Sequence, residues 1–174
     1  MTRSLNRCLN ATLVFATLMF AGFPLAANAQ PGPDHKKLDY LVGKWKVELE
    51  IKATGTTPAS KASGTEDCEW FANLHIVCRG EATGAAGLYK NMRTISYVPA
   101  LKQYASYSVD SLGYAVLTMG AIDGGKWTFN SDIGGYKMRS VMATKNDNYT
   151  ATAEYAGADG KWVPTSTIKA TRAK

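Results

Sequence analysis

The feature that most limits what this chain can become is a period of two that begins at Trp45. Trp45, Val47, Leu49 and Ile51 alternate with Lys46, Glu48, Glu50 and Lys52, the pattern of a strand with one face in a core and the other in water. Similar segments follow at about 60–70, 74–81, 88–97, 102–110, 113–119, 126–132, 137–145, 148–155 and 162–171. Turn-forming residues separate them, among them Ala72-Asn73, Pro99-Ala100, Asp123-Gly124-Gly125, Gly134-Gly135 and Asp159-Gly160. Parallel pairing needs crossovers of roughly a dozen residues, and these links are shorter. The chain is therefore expected to be all-β, an antiparallel up-and-down β-barrel of about eight to ten strands. Closure removes the free edges that invite pairing between molecules, and barrels of this size hold one small ligand.

Upstream of the strands the pattern is different. Arg3 and Arg7 precede an apolar stretch from about Ala11 to Phe23, then Pro24 and the triplet Ala27-Asn28-Ala29. These are the three parts of a secretory signal peptide. The stretch is short of the roughly 20 residues needed to cross a bilayer as a helix, so cleavage after Ala29 is expected, with residues 1–29 as the leader and 30–174 as one barrel domain, its core about 36–172. No transmembrane segment is expected in the mature chain, which would be periplasmic or secreted. Before the first strand, Asp34 is placed to cap a short helix with Leu38, Leu41 and Val42 on one face, and Gly43 to stop it.

Three cysteines are present. Cys8 leaves with the leader. Cys68 and Cys78 lie five residues either side of Asn73, so a hairpin centred there sets them opposite each other. An even pair in an exported chain reads as a disulfide. Loss of Arg3 and Arg7 lowers the net charge by two, from +6 to +4. The remaining basic residues are scattered, with Lys36-Lys37 the only adjacent pair in the mature chain, so nucleic acid is not an expected partner.

Three local patterns along the chain carry a resemblance. They are Leu41-Val42-Gly43-Lys44-Trp45, then Tyr97-Val98-Pro99 with Tyr104, Tyr107-Ser108-Val109-Asp110-Ser111-Leu112-Gly113, Gly120 and Trp127, and finally Asp159-Gly160-Lys161-Trp162 with Arg172. The first resembles the first-strand signature of the calycin superfamily, which includes the lipocalins. The order of all three resembles a bacterial calycin-like family, domain of unknown function number 1579, over about residues 36–172. The resemblance implies an antiparallel barrel with a cavity and brings no catalytic residues. It also implies structural roles for Gly43, Trp45 and Arg172, with the arginine packed over the tryptophan as a cation–π pair that closes one end of the barrel.

No catalytic residue emerges. His35 and His75 are the only histidines, and a Gly-x-Ser-x-Gly elbow is absent. Neither histidine has a partner at metal-ligand spacing, so no metal site is expected. Related ten-stranded barrels hold haem through a histidine near the C-terminus, and no histidine follows His75. No cofactor is expected. Glu48 with Glu50, and Glu66 with Asp67 and Glu69, read as solvated strand carboxylates. With nine tyrosines and four tryptophans, the aromatic residues are the main candidates for a ligand site. Trp70, Tyr107, Tyr114, Trp127, Phe129 and Arg139 are the proposed ligand-binding set, and Tyr89, Arg93 and Tyr97 a second face. A register slip of one residue would turn either set outward. The leading functional reading is an exported barrel binding a small apolar or amphipathic molecule. An envelope interaction or stress scaffold, suggested by the polar segment Ala53–Gly64, ranks second, and an enzyme acting on a bound ligand third. The sequence names no protein partner.

Overall fold

The computed structural model describes residues 31–54 and 58–174. The expected leader, with Cys8, and residues 55–57 of the loop after the first strand lie outside them. Ten strands follow one another: β1 (Gly43–Ile51), β2 (Ser60–Phe71), β3 (His75–Gly84), β4 (Gly87–Val98), β5 (Gln103–Asp110), β6 (Ala115–Asp123), β7 (Lys126–Ile133), β8 (Tyr136–Lys145), β9 (Asn148–Ala156) and β10 (Trp162–Arg172). Each pairs antiparallel with its neighbours in sequence, and β1 pairs with β10, so the meander is a closed barrel. Short turns leave this order as the simplest way to satisfy every strand edge.

Register determines which side chains share the interior, because directly opposed residues project on the same face. Trp45 lies opposite Glu66 on one side and Arg172 on the other, and Val47 opposite Gly64 and Ala170. Cys68 is opposite Cys78, and the two form a disulfide. Their hairpin turns through Ala72 and Asn73, both at positive φ.

One end of the barrel is plugged by the segment before β1. A single helical turn, α1 (Pro33–Lys36), runs into a 3-10 turn, Lys37–Leu41. The cap is Gly32, one residue before Pro33, rather than Asp34. Proline has the φ of a first helical residue and no N–H to satisfy, so it starts the helix better than an internal aspartate. The Gly32 N–H donates to His35 Nδ1 at 3.2 Å, and Asp34 instead pairs with Lys37 at 2.8 Å. That contact, foremost, holds the Asp34 carboxyl below its ordinary range.

Leu38 and Leu41 are fully buried against Trp45, Ile76, Ile95, Tyr104 and Trp127. Full burial of a leucine contributes roughly 2 kcal/mol. Polar groups of the plug are tied to the wall: Tyr104 OH donates to the Asp34 carbonyl at 2.9 Å, Trp70 Nε1 to Asp39 at 2.9 Å and Trp45 Nε1 to the Leu41 carbonyl at 2.8 Å.

Arg172, the last residue of β10, joins these parts. Its guanidinium carbon stands 4.3 Å from the centroid of the Trp45 ring. Nη1 and Nη2 donate to the carbonyls of Val42 and Tyr40 at 2.6 and 2.9 Å, and Nε to Asp147 at 3.2 Å. Gly43 has φ +114°, and a Cβ there would stand 3.0 Å from Arg172 Nη1. The Gly-x-Trp element thus lets the chain turn sharply from plug to strand beneath the arginine.

Gly64 is required for space. A Cβ on it would lie 1.8 Å from the Glu81 carbonyl oxygen of the adjacent strand, the mark of strands bending tightly inward at a barrel corner. Gly64→Ala is expected to destabilise the protein by about 1–3 kcal/mol, the usual cost of overpacking, read as a lower urea midpoint. Replacing Cys68 and Cys78 by serine should cost about 2–3 kcal/mol for so short a loop. Nonreducing mass analysis of the native protein should show two hydrogens fewer than the reduced chain.

Candidate functional site

Inward positions divide by size along the barrel axis. In the plugged half they are bulky: Trp45, Ile76, Ile95, Trp127, Phe129 and Met142 form the buried core. Toward the other end, register places small residues inside. Ala62, Gly64, Ala82 and Gly84 oppose one another on β2 and β3. Ser106 and Ser108 face inward on β5, Ser140 on β8 and Ala153 on β9. Larger inward residues at this end, Leu49, Tyr89 and Ile168 among them, are interrupted by these short ones, and side chains that short do not fill the width of a ten-stranded barrel, which leaves free space.

That space is a cavity of about 130 Å3, with Val47, Leu49, Ala151 and Ile168 on an aliphatic side and Arg93, Tyr149, Tyr89 and Asn91 among its polar lining. Beyond it lie the turns of the unplugged end, where Leu112, Tyr114, Ile133, Tyr136 and Val163 keep exposed apolar surface around the mouth.

The boundary between cavity and packed core is a charged cluster. Arg93 Nη2 donates to Glu66 Oε2 at 2.9 Å, and Tyr149 OH donates to the same oxygen at 3.0 Å. Glu66 is buried, whereas the Arg93 side chain keeps 24% of its surface accessible inside the barrel. Arg93 Nε is buried with no hydrogen-bond acceptor among the described residues, as is Ser131 Oγ. A buried ion pair is weak evidence for stability, since well-packed apolar residues often do as well. An unanswered donor beside it adds a further cost. Nearer the mouth, Tyr89 OH donates to Asp110 Oδ2 at 3.2 Å, while Asp110 Oδ1 accepts the N–H groups of Leu112 and Tyr114 and so braces the β5–β6 turn.

None of the six residues expected to bind ligand lines this cavity. Trp127 and Phe129 point inward but are buried in the packed half, and Trp70 stands against the plug, bonded to Asp39. Tyr107 faces outward opposite Leu117 and Thr94 and is 47% exposed. Tyr114 sits on the β5–β6 turn, 66% exposed. Arg139 is on the outer face, paired with Glu154 and 4.3 Å from the centroid of the Trp162 ring. Of the second face, Tyr89 and Arg93 line the cavity, and Tyr97 packs in the plug against His35 and Tyr104.

Glu66, expected to be solvated, is buried instead. It shares the inner face with Cys68, two residues on. Among the described residues, the one grouping of metal-ligating side chains is Glu66 with Cys68 and Cys78, and sulfurs joined in a disulfide are not the thiolates that bind metals. His75 faces outward and is hydrogen-bonded to Ser96 Oγ at 2.6 Å. A larger concavity, about 770 Å3, lies on the outer face of β1–β5. Lys44, Lys46, Arg79 and Lys90 line it together with Asp67 and Glu81, so both signs of charge are present. No helix among the described residues is long and apolar enough to cross a membrane.

The profile of the family described as "Protein of unknown function (DUF1579)" matches residues 30–172. No curated protein matches the chain. Among solved structures, Rv2717c from M. tuberculosis superposes with a TM-score of 0.64 at 8% identity, over 82% of this chain and 99% of that one. The S-type phycobiliprotein lyase CPES from Guillardia theta superposes with a TM-score of 0.58 at 10% identity, over 83% and 99%. At these identities the likeness is one of fold.

The interior phenols report on the cluster. Desolvation raises the Tyr149 phenol well above its ordinary range. Desolvation first, then the Asp110 charge, pushes Tyr89 up to about 12. A phenol that keeps its proton longer in the folded state than in the unfolded one contributes stability that is complete below about pH 10 and is lost as pH rises toward the folded value. The urea midpoint is therefore expected to fall between about pH 10 and pH 11.5, and to fall less steeply in Tyr89→Phe and Tyr149→Phe.

Proposed function

We propose, from the premise that this chain belongs to the DUF1579 family, that it is an exported binding protein that holds a small amphipathic molecule inside the barrel. The observation that carries this reading is the cavity beside Arg93: aliphatic on one side, polar on the other, and lined by a guanidinium side chain that stays partly accessible. Small-molecule sites characteristically combine apolar walls with a few placed polar groups. The polar lining favours an amphipathic ligand over a wholly apolar one, because an apolar molecule would leave those groups without partners.

The size of the cavity sets the manner of binding. At about 130 Å3 it falls below the roughly 300 Å3 at which sites for whole drug-sized ligands begin. It accommodates the end of a ligand, with the remainder running toward the mouth past Leu112, Tyr114 and Tyr136. Their exposed apolar surface is suited to covering such a tail.

Export is part of the same proposal. Residues 1–29 carry the leader pattern, and Cys68–Cys78 is a disulfide, a bond that persists in the periplasm or outside the cell rather than in a reducing cytosol. The test is native mass spectrometry of protein purified from the envelope fraction of its own host, beside an Ala151→Leu variant that fills the cavity. The native protein should carry a small-molecule mass and the variant should not. Recovery of both without added mass, or of equal added mass on both, would count against binding inside the barrel.

A further inference from the structure

The charges inside the barrel bear on which amphipathic molecules can enter, an inference that rests on the binding reading above. By register, the charged residues on the inner face of the described strands are Glu66, Arg93, Asp110 and Arg172. Arg172 belongs to the plugged end, where Asp147 and the carbonyls of Tyr40 and Val42 occupy it. The cavity side is left with Glu66, Arg93 and Asp110.

An arginine in a barrel interior invites the reading that it binds a carboxylate, as an open guanidinium does. Here that position is already taken. Glu66 lies 2.9 Å from Nη2 and neutralises the charge, and Asp110, held at the mouth by Tyr89 and two backbone N–H groups, adds a further negative charge. An incoming anion would give up its hydration and meet two carboxylates and one cation. Burying a charge without a matching partner is strongly unfavourable. What Arg93 still has available is hydrogen-bond donation: a guanidinium carries five N–H groups, Glu66 engages it through Nη2, and the side chain is still partly accessible. Arginine has no acceptor of its own, so the group that completes it must accept.

We propose that the cavity selects a neutral, hydrogen-bond-accepting head group, such as an amide or ketone carbonyl, and excludes carboxylates. Glu66 is the specificity-determining residue: it cancels the guanidinium charge and leaves its donors. Cavity size agrees with a head about as large as a six-membered ring, since an apolar cavity of about 150 Å3 accommodates benzene.

The experiment compares benzamide with benzoate, which differ little in shape and by one charge, in titrations of the native protein at pH 7.5. Binding is followed through the backbone amide signals of Ala151 and Ile168 and the Nε–H signal of Arg93. Benzamide should shift these signals saturably, and benzoate should bind at least about ten-fold more weakly. In Glu66→Gln, which keeps the shape but frees the guanidinium charge, the preference should move toward benzoate by at least about ten-fold. Benzoate binding as well as benzamide to the native protein would overturn the selectivity and leave the binding reading standing. Saturable shifts with neither would overturn both. Because the primary comparison uses native protein, a Glu66→Gln variant that fails to fold does not remove the test.

Discussion

The pairing of the first strand with the last is the constraint on which the rest depends. A meander of ten strands has two free edges until β1 meets β10, and only then are inside and outside defined. The join runs over seven residue pairs, from Ile51 opposite Ser166 to Trp45 opposite Arg172 at the plugged end. The indole is wholly buried, and the guanidinium over it also holds the carbonyls of Tyr40 and Val42. One side chain at the end of that seam therefore fastens the plug to the closed wall. The donors are answered by backbone carbonyls, as a partly buried guanidinium requires, and lysine, lacking the planar fork, could not reproduce the arrangement.

Closure at one end makes the two halves of the interior unequal. Where the plug supplies Leu38 and Leu41, the barrel is filled by buried side chains. Away from it, glycine, alanine and serine face inward and no second plug is present among the described residues. Between the halves stand Glu66, Arg93 and Tyr149. Apolar residues of equal volume would fill that position at less electrostatic cost, so the cluster is better understood as a feature of the cavity than as a support for the fold. The same groups that make the interior costly are the ones on which the proposed preference for a neutral ligand rests.

Much of the architecture was legible in the residues. The alternation from Trp45 marked the strands to within a few residues, and the hairpin centred on Asn73 placed Cys68 against Cys78. The six proposed ligand residues show where such reasoning ends. Tyr107 and Arg139 lie on the outer face because their neighbours Ser108 and Ser140 point in, and serine does not announce an inward position. Trp127 and Phe129 do point inward, but at the level of the plug, where no room is left. Glu66 carried a usable signal, since it shares parity with Cys68, and a half-cystine is more often buried than exposed. Its position among three acidic residues in Glu66-Asp67-Cys68-Glu69 obscured that signal.

What the sequence by itself determined is local: strand period, turn chemistry and the spacing of the cysteines, all set by neighbours a few residues apart. The level at which each strand crosses the barrel axis was decided only by the tertiary structure. Glu66 and Tyr149 meet across 83 positions of sequence, through the accumulated register of every strand between them. Pairwise alternation indicates which residues share a face, but not how far along the barrel each lies, and that height separates a packed tryptophan from a residue beside an open cavity.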